Sequence, residues 1–237
     1  LDSSRPNISP HRPEANTRDA ADRRIPTRDD LAQAATAVLK DGGPRKADLY
    51  LATDGDRQFV VKDFRRKRWH RRQLGRIQIH RETKAYRWLR GSPSVPALVG
   101  RVDRYALAIE PVDGERLVFA PTRFHDADRH LERLRTCLDR MHRAGVFHMD
   151  LRARDNVLLR SDGEIVLVDL AGAVCLRPGG VLHRLLSRFL SVPDEAGYLK
   201  WKQLLAPDRI TGWERLSMER YRWLRRLWIF NPKPGPR

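Results

Sequence analysis

Apolar positions along this chain recur with two periods, and the alternation between them marks out the elements. Leu31, Ala34, Ala35, Val38 and Leu39 fall at helical spacing, so the run from Arg28 to Lys40 is predicted to be a helix that stops at Gly42 and Gly43. Two extended runs follow, Ala47 to Ala52 and Gln58 to Phe64, on either side of Thr53-Asp54-Gly55-Asp56, the turn chemistry of a hairpin. Gln78 to Arg90 returns to a helical pattern with Ile79, Tyr86 and Leu89 on one stripe, and strands are predicted at Leu98 to Val102 and Tyr105 to Ile109. Leu131, Leu134, Leu138 and Met141 give an amphipathic helix from Asp126 to Arg143. A second hairpin joins the apolar residues 157–159 to Ile165–Val168 through Ser161-Asp162-Gly163-Glu164. Beyond it come short helical pieces at Val181 to Leu190 and Glu195 to Leu205. A last helix opens on the capping box Thr211-x-x-Glu214 and runs towards Pro232. Residues 1–27, rich in Arg, Asp, Asn and Pro, carry no such pattern and read as a disordered lead-in.

Polar residues able to do chemistry sit at the ends of the extended runs. Asp150, in His148-Met149-Asp150-Leu151, precedes the second hairpin; Asn156 heads its first strand and Asp169 closes its second. Turn-forming Asp and Asn flank many hairpins, but carboxylates fixed at strand ends are also how a scaffold presents ligands to a metal. Glu82 falls on the apolar stripe of its helix, between Ile79 and Tyr86, and its neighbours at helical spacing (Gln78, Ile79, Ala85, Tyr86) are not basic. A carboxylate facing inward needs a cation from elsewhere. Lys62, in Val60-Val61-Lys62 of the first hairpin, is the natural one.

His-x-Asp-Leu with a downstream Asn, then an apolar strand ending in Asp, resembles the catalytic loop and metal-binding aspartate of the protein-kinase-like fold. Lys62 and Glu82 are similar to that family's lysine–glutamate pair, and Leu107 through Gly114 resembles the connection between its lobes. The resemblance implies an α+β, bilobal fold: a small β-rich lobe over 28–112 and a mainly helical lobe over 113–237 ending in a basic helix. It implies ATP and Mg2+ as cofactors. Lys62, fixed by Glu82, would hold the α- and β-phosphates, and the backbone at Glu110 and Val112 would pair with adenine. Asp150 would orient the acceptor hydroxyl and take its proton. Arg152, two residues on, stands where protein kinases carry a lysine and would neutralise the transferring phosphoryl; His148 would brace the loop. Asn156 and Asp169 would hold the metal. The family's asparagine stands five residues after its aspartate, a place occupied here by Asp155, so both Asp155 and Asn156 are metal candidates.

Other positions depart from the protein-kinase pattern. Leu170-Ala171 stand where Phe-Gly is usual, and the Ala-Pro-Glu signature is absent. Gly42-Gly43-Pro44-Arg45-Lys46 replaces the glycine-rich loop, leaving Arg45 or Lys46 as phosphate contacts. Within the group the short chain and Arg/Trp-rich tail look most like the bacterial lipopolysaccharide core kinases, which phosphorylate heptose or Kdo. That likeness implies an ATP-dependent phosphotransferase acting on a sugar hydroxyl of the lipopolysaccharide inner core, an anionic glycolipid, at the cytoplasmic face of the inner membrane. Three alternatives stand beside it: a RIO-like or atypical Ser/Thr protein kinase with a protein substrate, a small-molecule kinase of the aminoglycoside or choline type, and a catalytically silent kinase-like module that binds nucleic acid or an anionic membrane.

Charge sharpens the question of the partner. The 237 residues carry 47 Lys and Arg against 30 Asp and Glu, a net +17, which implies an anionic partner or a solvated basic surface. Residues 65–90 hold eleven Lys or Arg and one acid, Glu82, a run that suits phosphorylated sugars, lipid headgroups or RNA. The final helix places Arg215, Arg220, Arg222, Arg225 and Arg226 around Trp213, Leu216, Trp223, Leu224 and Leu227, either a core-packing helix or an interfacial one. Cys137 and Cys175 have no metal-ligand spacing and suit a reducing compartment. No apolar stretch approaches the roughly 20 residues a bilayer demands, and the opening residues are polar, although a chain beginning on Leu1 leaves room for an upstream leader.

Overall fold

The computed structural model describes residues 25–44, 46–120 and 124–227. Over these residues it is an α+β protein with antiparallel sheets and five α-helices. Helix α1 (Arg28–Gln33) begins with a full capping box, in which the Thr27 hydroxyl accepts the Asp30 N–H and the Asp30 carboxylate accepts the Thr27 N–H. The helix predicted over Arg28 to Lys40 ends at Gln33, and Ala35–Lys40 is instead strand β1. Alanine propensity is worth a few tenths of a kcal/mol per residue, less than the ladder that β1 gains antiparallel to β2 (Asp48–Asp54). The lead-in expected over residues 1–27 lies outside the described residues up to 24; Pro26 is buried and Thr27 caps α1.

Strand β2 turns through Gly55, at φ +58°, into β3 (Arg57–Asp63), and β4 (Leu98–Arg101) and β5 (Ala106–Ile109) complete a sheet in the order β1-β2-β3-β5-β4. Leu31 of α1 packs on one face with Ala52, Phe59, Val61, Ala106 and Ala108, and Arg28 clamps it there by ion pairs to Asp63 and Asp103. Helix α2 (Trp69–Trp88) covers the other face through Ile79, which packs with Phe64 and Leu107. It begins nine residues before Gln78, where the pattern placed its start, so the basic cluster forms its first turns. Gly75 permits this, because a side chain there would collide with the Phe64 ring.

The chain leaves this sheet after Ile109 and enters a second one at β6 (Gly114–Arg116), which pairs with β8 (Val157–Arg160), itself paired with β9 (Ile165–Leu167). Between them run α3 (Ala127–Arg143) and β7 (Val146–Phe147); β10 (Val174–Cys175) returns to pair with β7. Two helices follow, α4 (Val181–Leu205) and α5 (Gly212–Leu227). The two pieces expected at Val181 to Leu190 and Glu195 to Leu205 are one helix that passes through Pro193, and the expected extension of α5 to Pro232 lies outside the described residues beyond 227. Leu134, Leu138 and Met141 of α3, Leu151, Leu167 and Trp201 build the main core. Among the described residues no helix is long and apolar enough to cross a membrane, and both cysteines are free thiols.

Candidate active site

Alternation along β3 buries Phe59, Val61 and Asp63 and sends Lys62 to the side of the sheet that α2 covers. There the structure brings three of the candidate residues together: Lys62 Nζ lies 2.8 Å from Glu82 Oε2 and 2.6 Å from Asp169 Oδ1. Glu82 is 2% exposed, held by the helical phase that buries Ile79 and Tyr86. Burial would strip Lys62 of its proton, but the two carboxylates outweigh it and raise its pKa. Burial raises Glu82 above the usual carboxylate range, with Lys62 pulling the other way. Burial also acts to raise Asp169, yet the charge and hydrogen bond of Lys62 prevail and hold it below that range. The result is a cation flanked by one sealed and one half-exposed carboxylate.

Asp169 follows β9 in the left-handed conformation, φ 62°, and opens a 3-10 turn, Leu170–Gly172. Arg81 of α2 donates to the carbonyls of Gly172 and Ala173 and ties that turn to the helix. His148 joins it to the Asp150 loop: its Nε2 donates to the Val168 carbonyl at 3.1 Å, and its Nδ1 accepts the Asp150 N–H at 3.3 Å, which fixes one tautomer. Val168 N–H in turn donates to the Asn156 carbonyl.

The loop's other support is a residue that sequence reasoning missed. Asp194, fully buried on α4, accepts the backbone N–H of His148 through Oδ2 (2.8 Å) and of Met149 through Oδ1 (2.7 Å), and lies 2.9 Å from His142 Nε2. Those bonds hold Met149 at φ 67°, a conformation that costs a side-chain-bearing residue about 1–2 kcal/mol. Further along α4, Lys200 donates to the Arg152 carbonyl and Trp201 Nε1 to the Leu151 carbonyl, an approach made close by Gly197 against Leu151. The only available signal was an acid between two predicted helical pieces, Pro193-Asp194-Glu195, with nothing local to say that its partners stand far back in the chain.

Asp150 is exposed at the front of this loop. Partial burial and the charge of Asp169 raise its pKa, against His148, Asn156 and Lys46. Asn156 is buried and donates from Nδ2 to the Asp150 carbonyl at 3.0 Å. Asp155, one residue earlier, is turned away into ion pairs with Lys40 (2.8 Å) and Arg116 (3.0 Å). The Arg152 guanidinium lies 5.5 Å from the Tyr221 ring centroid. Glu110 and Val112 stand in the segment joining the two sheets, where the Glu110 N–H donates to the Ala97 carbonyl. Lys46 is close enough for its charge to act on Asp150, whereas Arg45 lies outside the described residues.

Among the described residues no three His, Cys, Asp or Glu side chains converge on a metal position. The donor set of one carboxylate and one amide, Asp169 and Asn156, fits a hard cation that completes its shell with water or phosphate oxygens, as magnesium does. A concavity of about 570 Å³ lies elsewhere, between Asp113, Glu115, Arg129, Arg133 and the Ser161–Gly163 turn, and includes none of the candidate residues. No protein-family model matches the chain, and no curated protein matches it significantly.

Proposed function

We propose that the chain is an ATP-dependent phosphotransferase of bilobal, protein-kinase-like architecture that phosphorylates a sugar hydroxyl of the lipopolysaccharide inner core. The observation that carries this reading is the convergence of Lys62 from β3, Glu82 from α2 and Asp169 from the end of β9, beside a loop that presents Asp150 and Asn156. A lysine held charged by a sealed carboxylate is a fixed positive point for phosphate oxygens. Asp169 and Asn156 would hold magnesium, which when bound neutralises phosphate charge. Asp150 would orient the acceptor hydroxyl and remove its proton as the new O–P bond forms and ADP departs. Its raised pKa moves it towards the range useful to a base at neutral pH. The net charge of +17 agrees with an anionic acceptor at the cytoplasmic face of the membrane.

The test offers labelled γ-phosphate of magnesium-ATP to dephosphorylated lipopolysaccharide core and, in parallel, to a generic protein. Label in the sugar fraction supports the reading. Label in protein alone replaces it with the atypical protein-kinase reading, for which Arg152 beside the Asp150 loop is the supporting feature. Label in neither overturns transfer to either class of acceptor.

A further inference from the structure

Helix α4 is inside out over its first three turns. Val181, Leu182, Leu185, Leu186, Phe189 and Val192 are all exposed, with Val181 at 72% and Phe189 at 74%. His183, Ser187, Leu190 and Ser191 form the less exposed side of the same turns, with His183 packed against the Phe147 ring, while Arg184 and Arg188 are exposed beside the apolar face. At 3.6 residues per turn the six apolar side chains fall on one continuous side of the helix. A water-facing helix normally shows the reverse, and a contiguous exposed apolar face of this kind marks a docking surface.

Charge selects the occupant. Arg177, Arg184 and Arg188 are exposed in and just ahead of this segment, and no Asp or Glu occurs between Asp169 and Asp194. A second copy of the chain docking on the same face would bring three like charges against three. An anionic bilayer needs only apolar area and flexible cations at its edge, and it tolerates arginines that snorkel to the headgroups while leucines immerse. Pro193 stands where exposed helix gives way to buried helix, and the next residue, Asp194, holds the His148 and Met149 amides.

We propose that residues 181–192 form an interfacial anchor that lays the apolar face of α4 on an anionic lipid surface, next to the loop that carries Asp150. The anchor goes beyond the phosphotransfer reading and is measured without it.

The experiment is co-sedimentation of the whole chain with phosphatidylcholine vesicles, with and without phosphatidylglycerol, for the wild type and for Leu185→Ser/Phe189→Ser. Both residues face solvent, so the variant keeps the fold, which circular dichroism checks, and keeps every charge. The wild type is expected on the phosphatidylglycerol vesicles, the variant bound about 10-fold more weakly or worse, and Asp150→Asn bound like the wild type. Equal binding of the wild type and the Leu185→Ser/Phe189→Ser variant would overturn the anchor and assign binding to bulk charge. A wild type that ignores both vesicles would overturn it too; a dimer that the variant dissolves would then give the face to a second copy.

Discussion

Asp194 Oδ2 accepts the backbone N–H of His148 at 2.8 Å across 46 residues of chain, so a helix well downstream sets the shape of the Asp150 loop. Its second oxygen holds Met149, whose left-handed backbone would relax without it. Asparagine in its place would turn an amide donor towards either the buried His148 N–H or the part-buried Met149 N–H. Asp194→Asn is therefore expected to lower stability by about 2–3 kcal/mol, read as a lower urea midpoint at unchanged slope. An unchanged midpoint would show that the loop holds its shape unaided.

Lys62 pairs with Glu82 and Asp169 in the structure and holds phosphate in the proposed reaction, and two substitutions separate the roles. Lys62→Met leaves Glu82 buried without its cation and is expected to cost about 3 kcal/mol and to reduce phosphotransfer by about 100-fold or more. Adding Glu82→Gln removes the stranded charge. The double variant should regain most of the stability in a urea titration and none of the activity, whereas recovery of turnover would remove Lys62 from the chemistry.

The pH dependence of stability carries the signature of Asp150. Its folded pKa is raised, so the fold favours its neutral form. The stability this contributes is fully present below the unfolded value near 3.9 and is lost as pH rises through the folded value. Asp150→Asn is therefore expected to be at least as stable as the wild type near pH 7, with the advantage shrinking as pH falls below the carboxylate range, while phosphotransfer drops about 1000-fold. Thermal melts across pH 3 to 7, set beside the labelled-phosphate assay, read both effects; an Asp150→Asn protein that keeps its turnover would exclude Asp150 as the base.

Much of this arrangement was legible in the chain. Gly55 and Gly163 announce their hairpins because each takes a positive φ that few other residues tolerate. Glu82 could be paired with a distant lysine because a carboxylate on an apolar stripe must find a cation. Strand β1 was not legible: Ala35 to Lys40 has helical composition, and only the partner strand β2 makes it extended. The early start of α2 was hidden by Gly75, whose purpose is visible only against Phe64. Asp194 was hidden for a related reason, since it bonds to backbone and leaves no side-chain pattern to pair it with.

Geometry also divides the two candidate metal residues. Asp155 spends its charge on Lys40 and Arg116 at an exposed site, while Asn156 is buried against the Asp150 carbonyl. Asn156→Ala is expected to raise the magnesium concentration for half-maximal activity by about 10-fold or more. Asp155→Ala should change it less than about 2-fold and cost under about 1 kcal/mol, as exposed ion pairs do. A magnesium titration of both variants checks this, and the opposite order would hand the ligand role to Asp155.

The most direct measurement of the central claim is turnover of ATP labelled at the γ-phosphate by the purified chain, with magnesium, beside Asp169→Ala under the same conditions. Asp169 is half exposed, so its loss should leave the fold standing by circular dichroism. Magnesium-dependent transfer of label is expected from the wild type and none from the variant. Equal transfer by a folded Asp169→Ala protein, or no turnover by the wild type with any acceptor, would contradict it.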